Sequence, residues 1–233
     1  MIGMFDPTYL FIVMLPTVIL SGLAQWYVQS AYGKWSQLRN TAGLAGADVA
    51  RRIMGAAPEL RGVRLEGTPG ELSDHFDPRS NTVRMSPGIA QRPSVASMAI
   101  VAHELGHAQQ YAEKSPLISA RQLLLPAVQI GPNVAYGLIL FGLIAQASGL
   151  LWLGIIVFGL SVLFMLLTLP VEIDASRRGL ALLRQAGLMQ TETDSGGSRE
   201  VLTAAALTYV AAAVSSLLTL LYYVMLAQRS NRD

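Results

Sequence analysis

The sequence predicts a mainly α-helical membrane protein, with about four transmembrane helices and a polar part, outside the bilayer, that carries a small β-sheet. Three observations predict it. Hydrophobic residues make up 52% of the 233 residues, charged residues only 14%, and mean hydropathy is +0.42, a composition poorly suited to a chain surrounded by water. Several apolar runs reach the roughly twenty residues needed to cross a hydrocarbon core. The segments between them show the turn residues and apolar spacing of short strands and amphipathic helices.

The first apolar run, residues 9–28, contains no charged residue. It has no basic residue before it and no small-x-small cleavage site before Trp26 and Tyr27, so it reads as a retained anchor rather than a signal peptide. Residues 41–57 carry Leu44, Val49, Ile53 and Met54 with Arg51 and Arg52 between them, the pattern of an amphipathic helix that Pro58 ends. Residues 63–86 read as short strands broken by Gly67-Thr68-Pro69-Gly70 and Asp77-Pro78, and a small sheet is expected. Ser94, after Pro93, is placed to cap a helix over 95–112.

Pro116, Pro126, Gly131 and Pro132 predict a connector broken into short helical pieces near the interface. Runs 127–147 and 150–169 then form a transmembrane hairpin turning at Gln146-Ala147-Ser148-Gly149. Residues 187–199, with Gly196-Gly197-Ser198, read as a mobile polar loop. The last run, 202–226, is rich in alanine and serine that permit close helix packing in lipid. The chain thus divides into an anchor (1–28), a polar region with the functional helix (29–126), the hairpin (127–169), an acidic helix and polar loop (170–201), and a last span with its tail (202–233).

The chemistry lies in the helix over 95–112, which contains His103-Glu104-Leu105-Gly106-His107, an H-E-x-x-H motif. Residues four apart share one helix face, so His103 and His107 present two imidazoles to one metal ion. Glu104 beside them is placed to take a proton from a metal-activated water. This is the signature of zinc metalloproteases and makes the polar part zincin-like. The two histidines could instead be satisfied side chains of a buried helix, but apolar Ala99-Ile100-Val101-Ala102 is an unfavourable flank for three adjacent polar groups without a function. The chain has no cysteine, so Zn2+ must be held by nitrogen and oxygen.

Two spans separate the functional helix from the acidic segment Pro170-Val171-Glu172-Ile173-Asp174, so the two lie on one membrane side. Glu172 and Asp174 compete as third ligand, because positions two apart on a helix point to nearly opposite sides. Glu172 is favoured; Asp174 then orients a histidine from behind or pairs with Arg177 or Arg178. The alternative for Glu172 is a solvated carboxylate at a helix start after Pro170. His75 is a candidate donor to the oxyanion of the reaction, or else a turn residue before Asp77-Pro78. Tyr209 is a second candidate donor or an interfacial aromatic. Arg79 and Arg84 hold substrate, or pair with Asp74 and Asp77. Gly106 either admits a close neighbour or is plain packing.

Nothing basic precedes the first span, whereas Lys34, Arg39, Arg51 and Arg52 follow it and Arg177, Arg178 and Arg184 follow the third. The positive-inside rule places both polar regions in the cytoplasm. Arg229 and Arg232 at the tail count against it, since four spans leave the C-terminus outside. Scattered arginines without a basic stripe exclude a nucleic-acid partner.

Together Leu72-Ser73-Asp74-His75-Phe76-Asp77-Pro78-Arg79, His103-Glu104-Leu105-Gly106-His107-Ala108-Gln109, Pro170-Val171-Glu172-Ile173-Asp174-Ala175-Ser176-Arg177-Arg178 and Ala204-Ala205-Ala206-Leu207-Thr208-Tyr209-Val210-Ala211 resemble the YugP-like membrane zinc metallopeptidases of bacteria over the full length. The arrangement is also similar to the HtpX-like and prenyl-protein membrane proteases, in which H-E-x-x-H and a later glutamate ligand flank a membrane hairpin. The resemblance implies a membrane-embedded protease and favours Glu172 as third ligand.

The expected function is a zinc-dependent endopeptidase, multi-pass in the bacterial inner membrane, with a cytoplasmic active site and membrane lipids around its spans. Glu104 is the general base, and the substrate is a juxtamembrane or soluble protein or peptide, paired as an extended strand with the sheet before the metal helix. The competing expectation is a catalytically silent zinc-containing membrane scaffold or chaperone-like binding protein. A transporter is a weaker reading, because the spans contain no charged residue. Oligomeric state and cleavage preference are left open by the residues.

Overall fold

A computed structural model gives the architecture and describes residues 6–230; Arg232, one of the two basic residues of the tail, lies outside them. Helix α1 runs Pro7–Gln37, followed by α2 (Gly46–Ala56), a 3-10 turn (Pro58–Leu60), and strands β1 (Arg64–Gly67), β2 (His75–Asp77) and β3 (Thr82–Met85). Then come α3 (Pro87–Gln91), α4 (Val95–Ala112), α5 (Pro116–Ile144), α6 (Ser148–Gln185) and α7 (Glu192–Ser230). The fold is mainly helical with one small sheet, as the sequence led us to expect. Its chain divides into two compact units, Met1–Ala24 with Ser119–Pro170 and Thr208–Asp233, and Gln25–Ile118 with Val171–Leu207.

The first unit is apolar. Among the described residues, the helices Pro7–Gln37, Ser148–Gln185 and Glu192–Arg229 are long and apolar enough to cross a membrane, and α5 makes a fourth if its two arms count as one span. Large apolar side chains such as Phe11, Ile19, Phe141 and Ile156 are exposed on these helices, which suits hydrocarbon better than water. In α1 the stretch Leu10–Met14 is π-helical. It lies just before Pro16, which cannot donate to the carbonyl four residues back. The broken connector expected between 114 and 133 is instead one helix, Pro116–Ile144. Its arms Pro116–Leu125 and Val128–Ile144 bend by 49° at the break that holds Pro126, and Gly131 and Pro132 do not interrupt it.

The second unit is built around α4. Val95, Met98, Val101, Ala102 and Leu105 are buried on it in one cluster with Val49, Ile53, Leu60, Val83, Ile89, Leu182 and Leu183. Being covered on nearly all sides explains why α4 reads as apolar all round. Ser94 caps it by accepting from the Ser97 N–H at 3.1 Å, and the helix spans the residues its cap and periodicity predict.

The sheet has the order β1-β3-β2, β1 parallel and β2 antiparallel to the central β3. Arg84 of β3 ties both edges, pairing with Asp77 of β2 at 2.8 Å and Glu66 of β1 at 3.2 Å. Hydrogen bonds from Ser80 and Arg84 hold the Asp77 carboxyl well below the usual range. Asp74 takes a different partner, the Ser86 N–H and hydroxyl at 2.8 and 2.9 Å.

The mobile loop expected over 187–199 is shorter, because α7 begins at Glu192. Thr191 Oγ1 accepts from the Asp194 N–H at 3.2 Å, a cap of T-x-x-D form. Gly197 is helical, and a Cβ there would lie 2.5 Å from the Trp35 ring. That glycine marks a close approach of helix and indole, where composition alone suggested a loop.

Candidate metal centre

His103 and His107 lie one turn apart on α4, with ring centroids 4.7 Å apart. Glu172 comes from α6, and the three side chains offer ligand atoms all within 4.8 Å of one another. Glu172 is not at a helix start in water. The helix passes through Pro170 without ending, and Glu172 is 3% exposed.

Two glycines bring the helices together. A Cβ on Gly106 would collide with the carbonyl of Ala175, and one on Gly179 would sit 2.7 Å from the carbonyl oxygen of Ala102. Of the two readings of Gly106, close approach is the one observed. Without it α6 would stand further from α4, and Glu172 with it.

Glu172 Oε2 lies 3.3 Å from His103 Nε2 and 3.4 Å from His107 Nε2. This oxygen is buried and makes no hydrogen bond. Two ligands of a tetrahedral zinc, each about 2.0–2.1 Å from the metal, stand about 3.4 Å apart. The spacing and the nitrogen and oxygen donor set therefore fit zinc.

The other ring nitrogens fit as well. A metal held at Nε2 requires the proton on Nδ1 and an acceptor for it. His103 Nδ1 lies 3.2 Å from the Ser176 hydroxyl, and His107 Nδ1 lies 3.0 Å from Gln110 Oε1. Gln110 and Ser176 were not singled out in the sequence. Gln110 was legible as the polar residue three beyond His107 on the same helix face, whereas Ser176, one turn beyond Glu172, carries no motif.

Asp174 is not part of this group of candidate ligands. It accepts from Gln110 Nε2 at 2.7 Å and from Arg178 Nε at 2.7 Å, so it stands behind Gln110 and also forms the ion pair at helical spacing. Arg178 reaches on to Glu113.

Glu104 is buried, and its Oε2 accepts from the backbone N–H of Phe76 at 2.8 Å. Burial pushes its carboxyl above the usual carboxylate range, against the opposing pull of His103, His107 and the Phe76 N–H. The edge strand β2 is thereby fastened beside the H-E-x-x-H helix. His75, its first residue, is exposed with Nδ1 2.8 Å from the Ser73 carbonyl oxygen, a local turn contact. Arg84 is engaged within the sheet, and Tyr209 belongs to the apolar unit.

Residues 10–228 match the family described as "Putative neutral zinc metallopeptidase". A relative from Bacillus subtilis (strain 168), named "Putative membrane protease YugP", is 39% identical over 207 residues, which cover 89% of this chain and 91% of the relative. No solved structure gives a significant match. With the match running across nearly the whole sequence, the H-E-x-x-H helix and the Glu172 helix included, this chain belongs to the YugP-like family of that description.

Proposed function

We propose that this protein is a multi-pass membrane zinc endopeptidase whose metal is held by His103, His107 and Glu172. The observation that carries the reading is the convergence of three ligand atoms, with Glu172 Oε2 buried and unbonded between two imidazoles. A zinc ion held there would serve as a Lewis acid for a peptide carbonyl and would lower the pKa of a bound water from about 15.7 towards about 7. Glu104 takes the proton of the attacking water and passes it to the departing amine. Burial, which raises its affinity for a proton, suits it to that exchange, and the Phe76 N–H fixes one of its oxygens.

Strand β2 is an edge strand whose Phe76 N–H is turned to Glu104 rather than to β3. An extended juxtamembrane or soluble protein segment, running along this edge, would bring a scissile bond to the carboxylate. His75 on the same strand is the proposed oxyanion donor. His75→Ala is expected to lower kcat and leave zinc content unchanged.

The distribution of Lys34, Arg39, Arg51 and Arg52 after the first span supports an inner-membrane protein with this site in the cytoplasm. The chain has no cysteine, so Glu71→Cys introduces a single thiol in an exposed loop. A membrane-impermeant maleimide should spare it in intact cells and label it in inverted vesicles; the opposite result overturns the orientation.

The function is tested with Glu104→Gln, assayed in detergent against fluorescently labelled casein. Wild type and variant are expected to hold equal zinc, with cleavage lost only in the variant. Equal cleavage by both would falsify the assignment of the base.

A further inference from the structure

We propose that Gln110 is the positioning residue of the metal centre: it fixes the proton of His107 on Nδ1 and fastens that histidine to the helix that brings Glu172. The inference rests on reading His103, His107 and Glu172 as a zinc site. Gln110 is fully buried, and every polar hydrogen on its amide has a partner. Nε2 donates to the carbonyl of Val171 at 2.8 Å and to Asp174 Oδ2 at 2.7 Å.

Both partners accept only, so the amide orientation is determined: the nitrogen faces α6 and Oε1 faces His107. An amide oxygen cannot donate. The atom 3.0 Å from it, His107 Nδ1, therefore carries the proton, and in the neutral ring Nε2 is left with its lone pair directed at the site. A glutamine does here what a carboxylate or a backbone carbonyl commonly does behind a zinc-bound histidine.

The same amide does a second thing. Val171 precedes Glu172, so the bond to its carbonyl holds the backbone of the third ligand while Oε1 holds the second. Asp174, itself held by Arg178, keeps the amide from turning over. Neither H-E-x-x-H nor the acidic segment contains this link, which forms only when α4 and α6 meet.

Zinc affinity of the full chain in detergent, measured by competition with a chromophoric chelator, is the test. Gln110→Met keeps the volume and removes all three contacts; it is expected to bind zinc about tenfold to a hundredfold more weakly than wild type. Gln110→Glu keeps an acceptor for the His107 proton but offers no amide to Val171 and Asp174. It is expected to recover part of the affinity lost in Gln110→Met, which separates the histidine contact from a purely structural tie. Equal affinity of wild type and Gln110→Met overturns the inference, as does a Gln110→Glu that binds no better than Gln110→Met. A wild type that binds no zinc overturns the reading of the site and the inference with it.

If Gln110→Met does not fold, the wild type carries the test alone. The chain has three histidines, and selective 15N labelling reads their tautomers. A slowly exchanging Nδ1 proton on His107 is expected; a His107 protonated at Nε2 in the zinc-loaded protein overturns the proposal.

Discussion

Both units of the molecule bring helices to near backbone contact through glycine, but among the described residues only one of them gathers candidate metal ligands beside it. In the apolar unit, a Cβ on Gly142 would lie 2.6 Å from the Leu151 nitrogen, and one on Gly154 would lie 2.9 Å from the Ala135 oxygen. Those contacts close the hairpin of α5 and α6 around Ile139, Leu151 and Ile155 and gain dispersion energy alone. In the polar unit, Gly106 and Gly179 make the same kind of contact with Ala175 and Ala102, but this crossing is flanked by His103 and His107 on one helix and by Glu172 and Ser176 on the other. The lesson is that small residues set a distance, and the polar residues beside them decide what that distance is for.

The sharpest break in the comparison is removal of the proposed ligand that the crossing brings to the histidines. Glu172→Ala is expected to take zinc from near-stoichiometric to almost none by elemental analysis, whereas Asp174→Ala keeps metal at saturating zinc. If the two variants lose metal alike, Asp174 is a ligand and the geometric distinction drawn here is wrong.

Next in size is the crossing itself. Gly106→Ala forces α6 away from α4, at an overpacking cost of about 1–3 kcal/mol. It should weaken zinc binding as well as lower the melting temperature. Gly154→Ala carries a similar packing cost in the apolar unit and should lower the melting temperature with zinc affinity intact. Should both variants lose zinc to the same degree, metal binding depends on packing in the apolar unit too, and the contrast between the units fails. Chelation offers a check without any substitution, since a ligand that binds only the folded protein raises its stability by RT ln(1 + [L]/Kd). Removing zinc should therefore lower the wild-type melting temperature and leave that of Glu172→Ala unmoved.

How much of this was legible in the sequence follows from how far each cause reaches along the chain. The His103 and His107 pair and the Ser94 cap are set within a few residues, and both were readable. Glu172 was readable by a different route, from the expectation that two spans between it and the H-E-x-x-H helix return the chain to one side of the membrane. The bend at Pro126 is where the sequence places a break, whereas the continuity of α5 through Gly131 and Pro132 was not readable, because helix breakers are tolerated where freed backbone groups are satisfied again nearby. The start of α7 was hidden for a related reason: Gly196-Gly197-Ser198 resembles a turn, and it is the Trp35 ring, 162 residues earlier in the chain, together with Val95 that accounts for Gly197. Ser176, the Phe76 N–H and the Gln110 contacts with Val171 and Asp174 escaped because each depends on a partner on another element.

The smallest expected effect separates the two histidines. His103 Nδ1 faces the Ser176 hydroxyl at 3.2 Å, in a position partly open to solvent. His107 Nδ1 faces the amide of a side chain with no exposure at all. When a buried acceptor is deleted, the proton it served is left unpaired and the desolvation cost is felt in full. When a partly exposed one is deleted, water takes its place at little cost. Ser176→Ala should therefore weaken zinc binding only a few-fold, well short of the loss in Gln110→Met, in the same chelator competition. A Ser176→Ala loss as large as that of Gln110→Met would mean that solvent does not reach His103, and that both histidines depend equally on the partners α6 and α4 supply.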